Sequence, residues 1–114
     1  MIDKEQFFSI TRDAPVAVEI KNLGTLYVAS MTAKQRDAFE VDHLEKMDTG
    51  QDKTNFRARL VVQCTVDENG ARFFCDDDVE NVGDMPISVI QPLFNVASSL
   101  NGFSDKDIEE LAGN

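Results

Sequence analysis

Residues 13–30, DAPVAVEIKNLGTLYVAS, decide the fold class. Val16, Val18 and Ile20 alternate with Ala17, Glu19 and Lys21, which is the two-residue period of a strand with one buried face. Asn22-Leu23-Gly24 is turn chemistry, and Leu26, Tyr27 and Val28 resume an extended pattern, so the stretch reads as a β-hairpin. An isolated hairpin is barely stable in water, so this one has to lie on helices or on another chain.

Beyond the hairpin the apolar period changes from two to that of a helix. Thr32-Ala33-Lys34-Gln35 is a capping-box pattern opening a helix predicted to reach about Met47. Phe39, His43 and Met47 share one face of it, with Ala38, Val41 and Leu44 nearby. Asp48–Lys53 (DTGQDK) reads as a polar loop. A second helix is predicted from Thr54 to about Cys64, with Phe56, Leu60 and Cys64 on one face and Val61 widening it. Asp67-Glu68-Asn69-Gly70 is a strong turn signal, followed by a short extended piece over Arg72–Cys75. Asp77 and Glu80 form another capping-box pattern, for a short helix ending near Gly83.

Pro86–Leu100 reads as a helix whose stripe is Ile90, Leu93, Phe94, Ala97 and Leu100. Pro92 fits a first turn or forces a kink, so the regular part is expected from about Ser88. Ser104 caps a last helix to about Leu111, with Phe103 and Ile108 as a staple around its start. Two turns do not hold alone in water, so something must pack on Phe103, Ile108 and Leu111. The predicted architecture is α+β: a mostly helical single domain over residues 1–114, with an N-terminal β-hairpin packed on four to five short helices.

A hydrophobic fraction of 42% and a charged fraction of 28% in 114 residues are those of one globular domain. Of the aromatics, eight are Phe, one is Tyr and none is Trp, so the aromatic surface is almost free of polar atoms. The net charge of −10 argues against nucleic acid and anionic membrane as partners. It serves either as a solubility device or as a surface for a basic protein partner. No apolar run has the length of a bilayer span, and the first residues lack a signal peptide's basic start and apolar stretch. Cytoplasmic localisation is the expectation, with Cys64 and Cys75 reduced. Their spacing across a turn permits a disulfide, but small buried thiols are the preferred reading.

The residues that could carry chemistry fit plainer roles. His43 is the single histidine and has no Cys at ligand spacing, so it reads as a solvated or core-edge residue and not a zinc ligand. A Cys–His dyad lacks a recognisable nucleophile context, and no phosphate-binding glycine loop is present in the sequence. Thr65–Asp76 places Asp67, Asn69, Gly70 and Asp76 at calcium-loop positions, yet Thr65 stands where Asp is needed and Phe73 cannot supply a ligand. Asp76, Asp77, Asp78 and Glu80 suit the positive end of a helix dipole. No catalytic, metal or cofactor-binding residue is expected. The positive signal is apolar: Phe7, Phe8 and Ile10 near one end, Phe103, Ile108 and Leu111 near the other. Such residues complete a core or form contact surfaces. Phe7, Phe8, Phe103, Ile108 and Leu111 are the candidate protein-binding set.

Read in order, TLYVASMTAKQRDAFE, FRARLVVQCTVDENGARFFCDDDVENVG and IQPLFNVASSLNGFSDKDIEEL resemble the tail assembly chaperones of lambda-like long-tailed bacteriophages and prophages. In that group V-x-S-L/M-T precedes A-x-x-R-D-x-F/E, then R-A-R-L-V, D-E-x-G-x-x-x-F-x-D-x-D-V and L-F-x-x-A-x-x-L-N-G. The resemblance runs from about Val16 to Leu111 and is carried by Arg36, Asp37, Phe39, Arg57, Arg59, Asp67, Gly70, Phe74, Asp76, Asp78, Leu93, Phe94, Ala97, Leu100, Asn101 and Gly102. It implies a non-enzymatic morphogenetic protein that binds the tape-measure protein in the host cytoplasm and is absent from the mature virion. A frameshifted longer form would recruit tail-tube protein, and a homo-oligomer is expected. Two other classes compete: a tail-completion or head–tail connector protein that stays in the virion, and an acidic mimic that occupies a basic site.

Overall fold

The hairpin forms where its alternation places it. In the computed structural model, which describes residues 1–48 and 55–112, β1 (Val16–Ile20) pairs antiparallel with β2 (Gly24–Val28), Val18 opposite Leu26 and Ile20 opposite Gly24. Val18 and Val28 are buried and Ile20 and Leu26 pack against the core, whereas Glu19 faces out. Asn22 turns the chain with φ +67°, a conformation Asn tolerates, and Gly24 takes φ +141°, which side chains resist.

A third strand joins the sheet. β3 (Thr65–Val66) pairs with β2, Val66 opposite Tyr27 and Thr65 opposite Val28. The extended piece expected over Arg72–Cys75 shrinks to one bridge, between Arg72 and Val66. Asp67 shapes the turn between them: its Oδ1 accepts from the Asn69 and Ala71 amides at 2.8 and 3.1 Å, and Gly70 takes φ +85°.

Among the described residues six helices complete the α+β fold: α1 (Lys4–Phe8), α2 (Ala33–Asp48), α3 (Phe56–Cys64), α4 (Val79–Gly83), α5 (Ile87–Leu100) and α6 (Asp105–Leu111). The Thr32–Gln35 box closes at 2.9 and 3.1 Å, and the Ser104–Asp107 box at 3.0 and 3.1 Å. The box placed at Asp77 and Glu80 forms two residues earlier: a 3-10 turn spans Asp76–Asp78, and Asp78 Oδ2 accepts from the Cys75 amide at 2.9 Å. α1 was not foreseen; Asp3 caps it, with Gln6 Oε1 accepting from the Asp3 amide at 2.9 Å. α5 starts at Ile87 with Pro92 inside it. Pro92 leaves Ser88 without its helical donor, on an exposed face of the helix where the loss is cheapest. Of the loop expected over Asp48–Lys53, Asp48 instead ends α2 and the rest lies outside the description, as do the helix start at Thr54 and the Met47 side chain.

α3 is the hub. It buries Phe56, Ala58, Leu60, Val61, Val62 and Cys64, far more than the single stripe its sequence suggests, because α5, α4 and the 3-10 turn at Asp76–Asp78 pack on it and Phe39 of α2 meets Phe56. Four of the eight Phe residues meet there: Phe56 lies 5.9 Å from Phe39, 5.9 Å from Phe94 and 5.8 Å from Phe103 between ring centroids.

Candidate functional site

The five candidate contact residues separate into two groups. Phe103 and Leu111 are each 7% exposed and belong to the core, and Ile108 packs against it. Of the two roles the sequence left open, core or contact surface, burial gives Phe103 and Leu111 the first. The inner face of α2 carries Phe39 and His43, and without α6 those rings would meet water. The Arg36 guanidinium covers the outer side, 4.2 Å above the Phe103 ring and 3.7 Å from Asp107. Hydrogen bonds from the Ser104 amide and hydroxyl hold the Asp107 carboxyl below the usual carboxylate range.

Phe7 and Phe8 remain exposed at 56% and 77%, stacked edge to face at 5.3 Å on a helix that buries none of its residues. α1 lies on an arm whose residues 1–15 are all exposed.

Two polar residues, His43 and Asn101, sit deep in the molecule. His43 is fully buried, not solvated or at the core's edge. Arg59 Nη1 donates to its Nδ1 at 2.8 Å, and its Nε2–H donates to the Leu111 carbonyl, which defines the neutral tautomer. Burial pushes the His43 pKa down, and the Arg59 charge adds to that effect. Asn101 ties three segments together. Its Oδ1 accepts from the Met31 amide at 2.6 Å, and its Nδ2 donates to the Ala97 carbonyl at 2.8 Å and to Cys64 Sγ at 3.5 Å. Burial raises the Cys64 thiol to about 12, so it stays protonated. Cys75 is exposed and both thiols are free, so the expectation of two buried thiols holds for Cys64 alone.

An apolar groove of about 590 Å³ opens between the hairpin tip and α5. One wall is Ile20, Leu23, Gly24, Thr25 and Leu26; the other is Val82, Met85, Val89, Ile90 and Leu93. Phe73 and Phe74 close one side, their rings edge to face at 4.9 Å. Leu23, Phe73 and Met85 expose 86%, 53% and 48% of their surface at its rim. The polar side chains lining it are Thr25, Asp78 and Asn81, and Asp78 already accepts from the Cys75 amide. Such a lining holds apolar side chains and offers few groups that could activate a bond. Sequence reading missed this site because its residues lie far apart in the chain. One signal was present: a leucine at the tip of a turn, where a polar residue costs nothing. A second apolar patch, Val41 and Leu44 at 57% and 46% exposed, lies on the outer face of α2, where the sequence placed them near the buried stripe.

Among the described residues no helix is long and apolar enough to cross a membrane. Comparison with protein-family models, curated proteins and solved structures finds no match to this chain.

Proposed function

We propose that the chain is a phage tail assembly chaperone that shields apolar helical segments of the tape-measure protein before the tail is built. The observation that carries this reading is the uncovered apolar groove beside the hairpin tip, rimmed by Leu23, Phe73 and Met85. A tape-measure protein is long and helical, and its apolar face lacks cover until the tube forms. A groove of several hundred Å³ accepts the apolar stripe of one such helix, with anchors three or four residues apart. Many copies on one extended partner gain from effective concentration, so each contact can be weak. The net charge of −10 keeps the loaded complex dispersed. The sequence resemblance points the same way, and its longer, frameshifted form would add recruitment of the tail-tube protein.

Coexpression with a tape-measure protein tests the proposal. The chaperone reading expects a soluble complex that Leu23→Asp and Phe73→Asp break. It also expects mass spectrometry of purified virions to find the tape measure without this chain. Recovery of the chain in stoichiometric amounts from finished particles would assign it to the connector class instead.

A further inference from the structure

We propose that, before any tail partner arrives, the groove takes the N-terminal arm of a second copy. Phe7 and Phe8 of α1 would insert beside the hairpin tip, joining chains head to tail. The proposal rests on the groove being a docking site, as above, but not on which tail protein uses it.

The arm has the chemistry of an occupant. Ile2, Phe7, Phe8 and Ile10 are 63%, 56%, 77% and 68% exposed, and α1 buries none of its residues. A five-residue helix does not persist in water without packing, even with the Asp3–Gln6 box in place. Docking supplies the missing contact.

Geometry directs the arm away from its own groove. Arg12 Nη1 donates to the Ser30 carbonyl at 3.0 Å, pinning the arm's base beyond the end where Val16 pairs with Val28. The groove lies at the opposite end, where Ile20 pairs with Gly24. From Gly24 to Ser30 is roughly 20 Å of extended chain, whereas Arg12 back to Phe8 reaches at most ~14 Å. In this structure the arm stays off its own groove, with residues 1–15 all exposed, and the groove proposed for Phe8 is a neighbour's.

Charge permits the approach. Lys4 and Arg12 balance Asp3 and Glu5, so the first twelve residues are neutral and the rest of the chain carries the whole net charge of −10. Two bodies of that charge repel; an arm without net charge does not add to the repulsion. Lys4 also suits the exposed Asp77, next to Asp78 of the groove lining.

Two Phe side chains bury roughly 300–500 Å², so the contact falls short of the ~1,200 Å² of a stable interface and is reversible. Arm and groove sit at opposite ends of the hairpin, which makes the contact heterologous, and such contacts grow into open chains. A partner helix entering the groove displaces the arm, so the arm lowers apparent partner affinity by the fraction of grooves it fills.

Sedimentation velocity over a concentration series tests this with the free chain, a variant lacking residues 2–10, and Leu23→Asp. The wild type is expected to increase in mass past a dimer as concentration rises, and each variant to remain monomeric. A one-to-one mixture of the two variants should form a heterodimer, because one keeps the groove and the other the arm. Both should keep the wild-type melting temperature, since the arm buries nothing and Leu23 is 86% exposed. Monomeric wild type, an arm-deleted chain that still associates, or a mixture that stays monomeric would overturn the proposal. Titrating tape-measure segments into the arm-deleted chain separates the two readings. Binding at least as tight as wild type upholds the docking groove even if the arm proposal fails.

Discussion

His43 and Asn101 show how single polar residues hold an apolar fold together. Protonating His43 would set a donor against the Arg59 donor and a charge beside the Arg59 charge, in a site without solvent. Its folded pKa therefore lies below the ordinary value of 6.5, with Arg59 and Lys46 lowering it and Asp42 opposing them. The sign follows. Stability from this group is full above about pH 6.5 and is lost as pH falls toward the depressed folded value, by up to ~1.4 kcal/mol per pH unit. Urea unfolding between pH 7.5 and 5.5 should show that slope in the wild type and not in His43→Gln. The exposed Asp107 acts in the same direction at lower pH, below the ordinary carboxylate value. Asn101→Ala removes the acceptor of the Met31 amide and should cost about 2 kcal/mol in chemical denaturation. Sequence alone reads His43 as a solvated or core-edge residue; the Leu111 carbonyl that meets His43 and the Met31 amide that meets Asn101 lie 68 and 70 positions away, on segments that only packing brings together.

At the scale of elements, α6 is a lid on α2. Leu111→Asp places a carboxylate in the core and should destabilise the fold by at least ~3 kcal/mol, measured by thermal or urea melting. Ile108→Asp, at a half-buried position, should cost less. The hairpin, the Thr32 and Ser104 caps and the long α5 were legible because each depends on residues within one or two turns of chain. β3 was not. Thr65 and Val66 follow a helix directly, and their identity as a strand depends on the free edge of β2 beside them. α3 was legible as a helix but not as the hub, since its burial on most sides is set by four other elements.

For the whole molecule, the same logic explains why the candidate site was the least legible part. A groove is built from surfaces that no local period marks, whereas terminal Phe residues are conspicuous in the sequence; of those named, the arm pair stayed exposed and the C-terminal group entered the core. The central claim is that the groove holds an apolar helix from a tail protein without making or breaking a bond. Calorimetric titration of helical tape-measure segments into the chain tests it most directly. The account predicts saturable binding with a negative heat-capacity change, weakened at least tenfold by Leu23→Asp and Phe73→Asp at unchanged melting temperature. Equal binding by wild type and both groove variants, or none by the wild type, would contradict it.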